Sequence, residues 1–194
     1  YTATCDLPSA GTVFPASLSY PTATSATIAN VPAGAQCVVA EGPLPTPPAN
    51  FSWGPAAANV NVTVSANSAV AATMASTLVR QQAGIEVTKT LALPSGVTGP
   101  FSFGFTATCN LPSAGSTFTA TLANYPTNTR VTIPGIPSGA SCAVTENTPL
   151  PTAPDGYEWA APSVPAPVTV PSSGVASVAV TNALNQQFGS ITIN

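Results

Sequence analysis

YTATCDLPSAG, at residues 1–11, recurs almost unchanged as FTATCNLPSAG at residues 105–115, an offset of 104 residues. The match continues from Gly34–Cys37 to Gly139–Cys142 and ends with Trp53 and Trp159, at offsets of 105 and 106 residues. Offsets that grow by one residue at a time are typical of single insertions in turns between equivalent strands. The chain therefore contains two copies of one domain.

The repeat also predicts the domain boundaries. The second copy begins at Gly84 and covers residues 84–188. The first copy covers residues 1–83 and lacks its first strand, because Tyr1 aligns with Phe105 and not with Gly84. Residues 189–194, GSITIN, repeat the start of the second copy at an offset of 105 residues. We expect them to begin a further repeat or to be a donated strand, and the chain to be a window from a longer tandem array.

The local sequence pattern is that of β-strands throughout. Apolar residues alternate with small or polar ones in the segments 26–29, 60–64, 130–133, 167–170 and 175–180. The 22 prolines are spread too evenly for helices and suit strand edges and turns. We expect an all-β fold with two tandem Ig-like or prealbumin-like β-sandwich domains in a row. A disordered stalk rich in Pro, Thr and Ser is the alternative.

The composition excludes several classes of partner. The chain has six acidic and three basic residues and a net charge of −3. A surface without a basic patch cannot neutralise phosphates, so nucleic acid is excluded as a partner. No apolar run reaches the ~18 residues of a membrane span, so we expect no membrane span in this segment.

The four cysteines fall two in each copy, which predicts the disulfides Cys5–Cys37 and Cys109–Cys142. There is no histidine and no CxxC pair, so we expect neither a metal site nor a cofactor. Closing loops of this length stabilises each domain by roughly 3–4 kcal/mol on the chain-entropy model. Disulfides also predict an oxidising, extracellular location. Four buried free thiols are the alternative.

The chain has one lysine, Lys89, in the strand-like segment GIEVTKT at residues 84–90. The same copy contains CAVTE at residues 142–146, then PDGY at residues 154–157, and VAVTNAL at residues 178–184 in its last strand. This combination resembles the Cna-B-like, or prealbumin-like, stalk domains of Gram-positive surface adhesins and sortase-assembled pilins. It resembles the disulfide-bearing variant in actinobacterial surface proteins more closely, and the likeness covers nearly the whole chain.

The resemblance implies an intramolecular isopeptide bond between Lys89 and Asn182, promoted by Glu146 as the catalytic residue. An amine attacks a carboxamide only when it is unprotonated, and a carboxyl group donates a hydrogen bond to the amide oxygen only when it is protonated. Burial in an apolar core favours the uncharged form of both groups. Ammonia leaves, and the first strand is joined covalently to the last. The alternative is a surface lysine whose neighbours match by accident.

The first copy departs from this pattern. Glu41 aligns with Glu146, but either Ser76 or Thr77 aligns with Asn182, and neither supplies a carboxamide. We therefore expect no isopeptide bond in residues 1–83, and Glu41 to be unpaired or hydrogen-bonded in a turn. At the start of the next copy, Asn194 aligns with Lys89 and cannot act as the amine.

The sequence favours a structural protein over an enzyme. Without histidine, Ser-His-Asp and Cys-His sites cannot form, and the six carboxylates are dispersed. We expect an extracellular, cell-surface stalk or filament-shaft module whose partners are neighbouring repeats or subunits of the same protein. One alternative is an adhesin module that binds a carbohydrate or a host protein. Exposed aromatics would favour it, although we expect Phe51, Trp53, Tyr157 and Trp159 to serve a core or interdomain role. The other is a filament subunit that donates a strand head to tail.

Overall fold

The computed structural model describes residues 1–20 and 22–193. Asn194, which the repeat aligns with Lys89, lies outside these described residues. The regular elements in the described part are all strands, as expected. In chain order they are β1 (Thr2–Cys5), β2 (Thr12–Pro15), β3 (Gln36–Ala40), β4 (Phe51–Trp53), β5 (Val60–Thr63), β6 (Leu78–Arg80), β7 (Gln82–Ala92), β8 (Phe101–Cys109), β9 (Ser116–Tyr125), β10 (Arg130–Pro137), β11 (Ser141–Glu146), β12 (Tyr157–Trp159), β13 (Val168–Thr169) and β14 (Val175–Gln186).

The chain divides into two compact units, a first unit of Tyr1–Val79 and a second unit of Arg80–Asn194. The spatial division falls four residues before the repeat boundary predicted at residues 83 and 84. Its cause is backbone pairing, because Gln82 and Ala83 already pair with Pro137 and Ile136 of β10. The second unit therefore begins ahead of the point at which the sequence repeat becomes recognisable.

The second unit is a β-sandwich of two four-stranded sheets. One sheet has the strand order β10-β7-β14-β12 and the other β13-β11-β8-β9. The first and last long strands, β7 and β14, lie side by side and run parallel, from the pair Gly84 and Val175 to the pair Ala92 and Ala183. The remaining strand pairs are antiparallel.

The alternation of side chains in β7, β8 and β14 forms the core of the second unit. Successive strand residues point to opposite faces, so every second residue is directed between the sheets. In β7 the buried side chains are those of Ile85, Val87 and Lys89, and in β8 they are those of Phe101, Phe103, Phe105, Ala107 and Cys109. In β14 they are Val178, Val180, Asn182 and Leu184. The inward-facing positions of these strands thus include one lysine and one asparagine among the apolar residues.

The first unit has the same four-stranded sheet in the same order. Its strands β2-β1-β3-β5 correspond to β9-β8-β11-β13. The second sheet is reduced to the two-stranded pair β4-β6. Its core is small and consists of Ala3, Cys5, Ala35, Cys37 and Val39, with partly buried neighbours around them.

The strand predicted at residues 26–29 is not formed. These residues align with β10, whose residues Arg130–Ile133 pair with Thr88–Ile85 of β7. Among the described residues the first unit has no counterpart of β7. The backbone of residues 26–29 therefore has no ladder to join and stays irregular. The predicted segments 60–64 and 167–170 contain β5 and β13, and the predicted segments 130–133 and 175–180 are the first parts of the longer strands β10 and β14.

Candidate functional site

Both predicted disulfides are present, one in each unit. Cys5 and Cys37 are directly opposite each other on β1 and β3, and Cys109 and Cys142 occupy the same positions on β8 and β11. The Cα atoms of each pair are 4.1 Å apart. All four cysteines are buried and none is free. Each disulfide therefore joins the two central strands of its own unit's four-stranded sheet, which has the same strand order in both units.

The second unit brings Lys89, Glu146 and Asn182 together inside its core. Lys89 and Asn182 lie on the neighbouring parallel strands β7 and β14, where Lys89 pairs with Val180 and Asn182 lies two residues further along. Both side chains therefore point from one sheet toward the other. Glu146 comes from the facing sheet, at the end of β11, where it pairs with Phe105. The cluster thus bridges the two layers of the sandwich.

The polar atoms of the cluster are all within hydrogen-bonding distance. Lys89 Nζ donates to Asn182 Oδ1 at 2.5 Å and lies 2.6 Å from Glu146 Oε1. Asn182 Nδ2 donates to Glu146 Oε2 at 2.7 Å. Glu146 therefore faces both nitrogens, while the lysine faces the amide oxygen. This differs from the expected arrangement, in which the carboxyl group contacts the amide oxygen.

Water is excluded from the cluster. Lys89 is 1% exposed, Asn182 is 2% exposed, and the Glu146 side chain is fully covered. Burial in this core lowers the pKa of Lys89 from its ordinary value of 10.5, and the hydrogen bond and negative charge of Glu146 oppose that shift. The amine therefore loses its proton at a lower pH than an exposed lysine does.

Aromatic side chains form the apolar surroundings of the amine. Lys89 Nζ lies 4.5 Å from the centre of the Phe103 ring. Phe103 packs edge-on against Trp159 at 5.8 Å and Tyr125 at 6.3 Å between ring centres. The Tyr125 hydroxyl accepts a hydrogen bond from the backbone N–H of Leu91, two residues after the lysine. We did not predict Phe103 as part of the site, although the alternation Phe101, Phe103, Phe105 in β8 places it in the core.

The first unit holds a partial counterpart of this cluster. Ser76 Oγ donates to Glu41 Oε2 at 2.5 Å, and the Tyr1 hydroxyl donates to Glu41 Oε1 at 3.4 Å. Ser76 is therefore the residue that takes the place of Asn182, and Glu41 is hydrogen-bonded. The described residues of this unit contain neither a lysine nor an amide at the cluster, so the pair has hydrogen bonds but no groups that could condense.

The four aromatics whose exposure would favour the adhesin alternative, Phe51, Trp53, Tyr157 and Trp159, are all partly buried. Trp53 Nε1 donates to the carbonyl of Pro45 at 2.7 Å, and Trp159 Nε1 donates to the carbonyl of Pro151 at 2.6 Å. Trp159 also packs edge-on against Phe101 in the core. The described part of the chain contains no group of three or more residues able to hold a metal ion, and no helix long and apolar enough to cross a membrane.

These features define a protein of two repeated β units, each with one cross-strand disulfide, of which the second contains a buried Lys-Glu-Asn cluster. The chain belongs to the family described as "Domain of unknown function (DUF5979)", whose model matches residues 1–92 and 85–185. A search of curated proteins found no match.

Two solved structures of major pilins from Streptococcus pyogenes are among the similar folds. The T3.2 pilin is 14% identical with a TM-score of 0.36, and the match covers 76% of this chain. The T-13 pilin is also 14% identical with a TM-score of 0.35, and the match covers 77% of this chain. The chain spans 66% of the length of each pilin chain, just under two thirds.

Proposed function

We propose that the chain is a structural module of an extracellular stalk or filament shaft, and that an isopeptide bond between Lys89 and Asn182 locks its second unit. The observation that carries this proposal is the contact of a buried amine with a buried carboxamide, both of them in reach of one carboxylate. A lysine buried without function is disfavoured because its charge must leave water.

The geometry supports a short route for the protons. Lys89 passes one proton to Glu146 Oε1, which makes the amine neutral and the acid protonated in a single transfer. The amine nitrogen then bonds to the Asn182 side-chain carbonyl carbon. The second carboxylate oxygen of Glu146 lies against Asn182 Nδ2, so a rotation of the protonated carboxyl group brings the proton taken from Lys89 to this leaving nitrogen. The carbon–nitrogen bond of the carboxamide breaks and ammonia departs. The lysine nitrogen releases its second proton, and Glu146 retains it.

Proximity lowers the entropic part of the activation barrier, which is large when an amine and a carboxamide must meet in solution. The two reacting side chains are fixed on paired strands, so condensation becomes unimolecular and orientation entropy is lost in folding and not in the reaction. The dry aromatic surroundings strengthen the hydrogen bonds of the cluster and prevent water from competing with the amine. Glu146 is the catalytic residue in this scheme, and Lys89 and Asn182 are the reactants.

The position of the bond supports a load-bearing role. It joins the first long strand of the second unit to the last, and 93 residues separate the two partners. A pull that enters through β7 and leaves through β14 crosses the bond directly. The cross-strand disulfides support an oxidising, extracellular location. Neighbouring repeats or subunits of the same protein are the proposed partners, and the proposed role is not enzymatic toward external substrates.

Glu146→Gln tests the role of the carboxylate. Glutamine preserves the size of the side chain but replaces one of the two acceptor oxygens with an NH2 group and cannot carry protons, so ammonia loss is expected to slow by roughly 10²–10⁴-fold. Intact mass measured at intervals after purification should show the variant heavier than the condensed form by one ammonia. Glu86→Gln is the matched control, because Glu86 pairs with Arg130 on the surface and is far more exposed. Equal rates of ammonia loss in Glu146→Gln and Glu86→Gln would exclude the proposed proton route.

The remaining reaction of Glu146→Gln is expected to depend on pH. Only the neutral amine attacks, so the rate should rise by about tenfold per pH unit while Lys89 is mostly protonated. It should level off once pH passes the folded-state pKa. Because burial lowers that pKa from 10.5, the plateau is reached below the value for an exposed lysine. Mass spectrometry at several pH values measures the profile, and a rate that falls with rising pH contradicts attack by the neutral amine.

A further inference from the structure

Asn147, the residue that follows Glu146, fastens the end of β11 to β8. Its backbone N–H donates to the carbonyl of Gly104 at 2.8 Å, one step beyond the pair that Glu146 forms with Phe105. Its side-chain Oδ1 accepts a hydrogen bond from Thr106 Oγ1 at 2.7 Å. Two hydrogen bonds from one residue therefore hold the backbone next to Glu146 against the neighbouring strand.

The side chain of Asn147 lies directly over Gly104. A Cβ atom at position 104 would lie 2.8 Å from Asn147 Nδ2 and 3.3 Å from its Cβ and Cγ atoms. The glycine therefore allows the asparagine side chain to come this close to the strand. The preceding residue of β8, Phe103, points inward to the Lys89 amine. The Asn147 contact thus lies on the outer face of the sheet, directly behind the cluster.

The first copy of the domain has no equivalent of Asn147. A single residue, Gly42, separates Glu41 from the next proline in that copy. In the second copy two residues, Asn147 and Thr148, fill this interval. Gly42 has no side chain that could accept a hydrogen bond. The same copy has Ser76 in place of the reactive amide. The carboxamide and the asparagine contact therefore occur together in one copy and are absent together from the other.

The opposite end of the same strand pair has a similar contact that both copies keep. Asn110 Oδ1 accepts a hydrogen bond from the backbone N–H of Ser141 at 2.9 Å. In the first unit, Asp6 Oδ1 accepts one from the backbone N–H of Gln36 at 2.8 Å. This contact does not depend on the reactive amide, because it also occurs in the copy that lacks the amide. The Asn147 contact differs from it, since it is found in the copy with the complete cluster and not in the other.

We propose that Asn147 is a positioning residue for isopeptide formation, which holds the Glu146 carboxyl group between the Lys89 amine and the Asn182 amide. This inference deepens the isopeptide proposal and rests on it. Glu146 is the last residue of β11, where the strand ends. Asn147 adds two hydrogen bonds immediately beyond that end, so it limits the movement of the carboxyl group that takes the proton from one nitrogen and gives it to the other.

Asn147→Ala tests this role through the rate of ammonia loss. Asn147 is itself exposed, so its replacement leaves the core unchanged. The variant is expected to lose ammonia roughly tenfold more slowly than the unsubstituted chain, because a small displacement of a catalytic group is costly. Asn110→Ala removes the matched contact at the other end of the same strands and should react at the unsubstituted rate. Intact mass sampled at short intervals after a pulse of oxidising cell-free synthesis measures these rates. Equal rates for the two variants overturn the proposal.

A second background separates positioning from a general loss of stability. A destabilised domain would react more slowly whatever residue stands at position 146, whereas positioning acts only through the Glu146 carboxylate. Adding Asn147→Ala to Glu146→Gln should therefore cause no further slowing, although the same change slows the unsubstituted chain. Similar slowing in both backgrounds would mean that Asn147 acts without Glu146, and it would overturn the proposal.

The single lysine of the chain gives a readout that does not need the reaction. Asn182→Ala cannot condense, and NMR of the Lys89 side chain follows its titration in that variant. The hydrogen bond and negative charge of Glu146 raise the pKa of Lys89. Adding Asn147→Ala should therefore lower this pKa toward the value found with Glu146→Gln, and an unchanged pKa overturns the proposal. The isopeptide proposal fails separately, when the unsubstituted chain keeps its full sequence mass.

Discussion

Replacing Asn182 with alanine is expected to lengthen the second unit under force by roughly 300 Å when the disulfide is reduced. With the proposed bond in place, load passes from Lys89 to Asn182, and the 93-residue segment between them never extends. Without it, that segment unravels at about 3.3–3.6 Å per residue. When the Cys109–Cys142 disulfide is intact, the 33-residue loop that it closes cannot extend, and the increase in length falls to roughly 200 Å. Single-molecule force spectroscopy measures both lengths.

Asn185→Ala is the matched control for this experiment, because Asn185 lies on the same strand β14 but is exposed. Its extension should equal that of the unsubstituted chain. If the unsubstituted second unit already extends by the longer length, the bond does not carry the load and the shaft proposal loses its mechanical basis.

The same Asn182→Ala substitution is expected to lower the free energy of unfolding of the second unit by about 4–5 kcal/mol. This value is the chain-entropy estimate for opening a covalent loop of this length. The melting temperature of the second unit should fall by roughly 15–30 °C. The substitution also leaves Lys89 and Glu146 buried without the amide that contacts both. Calorimetry of the whole chain, with the first-unit transition as internal reference, measures the difference.

A second variant separates the destabilisation that comes from losing the covalent bond from the destabilisation that comes from leaving a charge buried and unreacted. Lys89→Met combined with Asn182→Leu and Glu146→Met removes both reactants and both of the buried ionisable groups. It should remain less stable than the unsubstituted chain but more stable than Asn182→Ala, because an unreacted buried charge is costly. Unfolding transitions that coincide for all three proteins would mean that no covalent loop stabilises the unit.

The alternation of residues and the repeat were sufficient to predict most of the fold, whereas the three residues of the cluster were implied by the resemblance to Cna-B-like domains. Strand periodicity places Lys89 and Asn182 on inward faces, and the repeat places the cysteines of each copy at equivalent positions, where they form the predicted disulfides. The repeat also aligned Glu41 with Glu146, and Glu41 indeed contacts Ser76, the counterpart of Asn182. These features follow from patterns within single strands and between the two copies.

Features that depend on tertiary neighbours were not predictable in this way. Residues 26–29 have a strand pattern but no partner strand, so pairing and not propensity decides their conformation. The position of Phe103 beneath the amine depends on how the two sheets face each other, which no single-strand pattern records. The contact of Glu146 with both nitrogens likewise depends on how β11 in one sheet faces β7 and β14 in the other.

The most direct test of the central claim is the intact mass of the unsubstituted chain, before and after reduction of the disulfides, followed by peptide mapping. We predict a mass lower than the sequence mass by one ammonia that persists after reduction, and a branched peptide in which Lys89 is joined to Asn182. A reduced chain with the full sequence mass, and with Lys89 and Asn182 in separate unmodified peptides, would contradict the account.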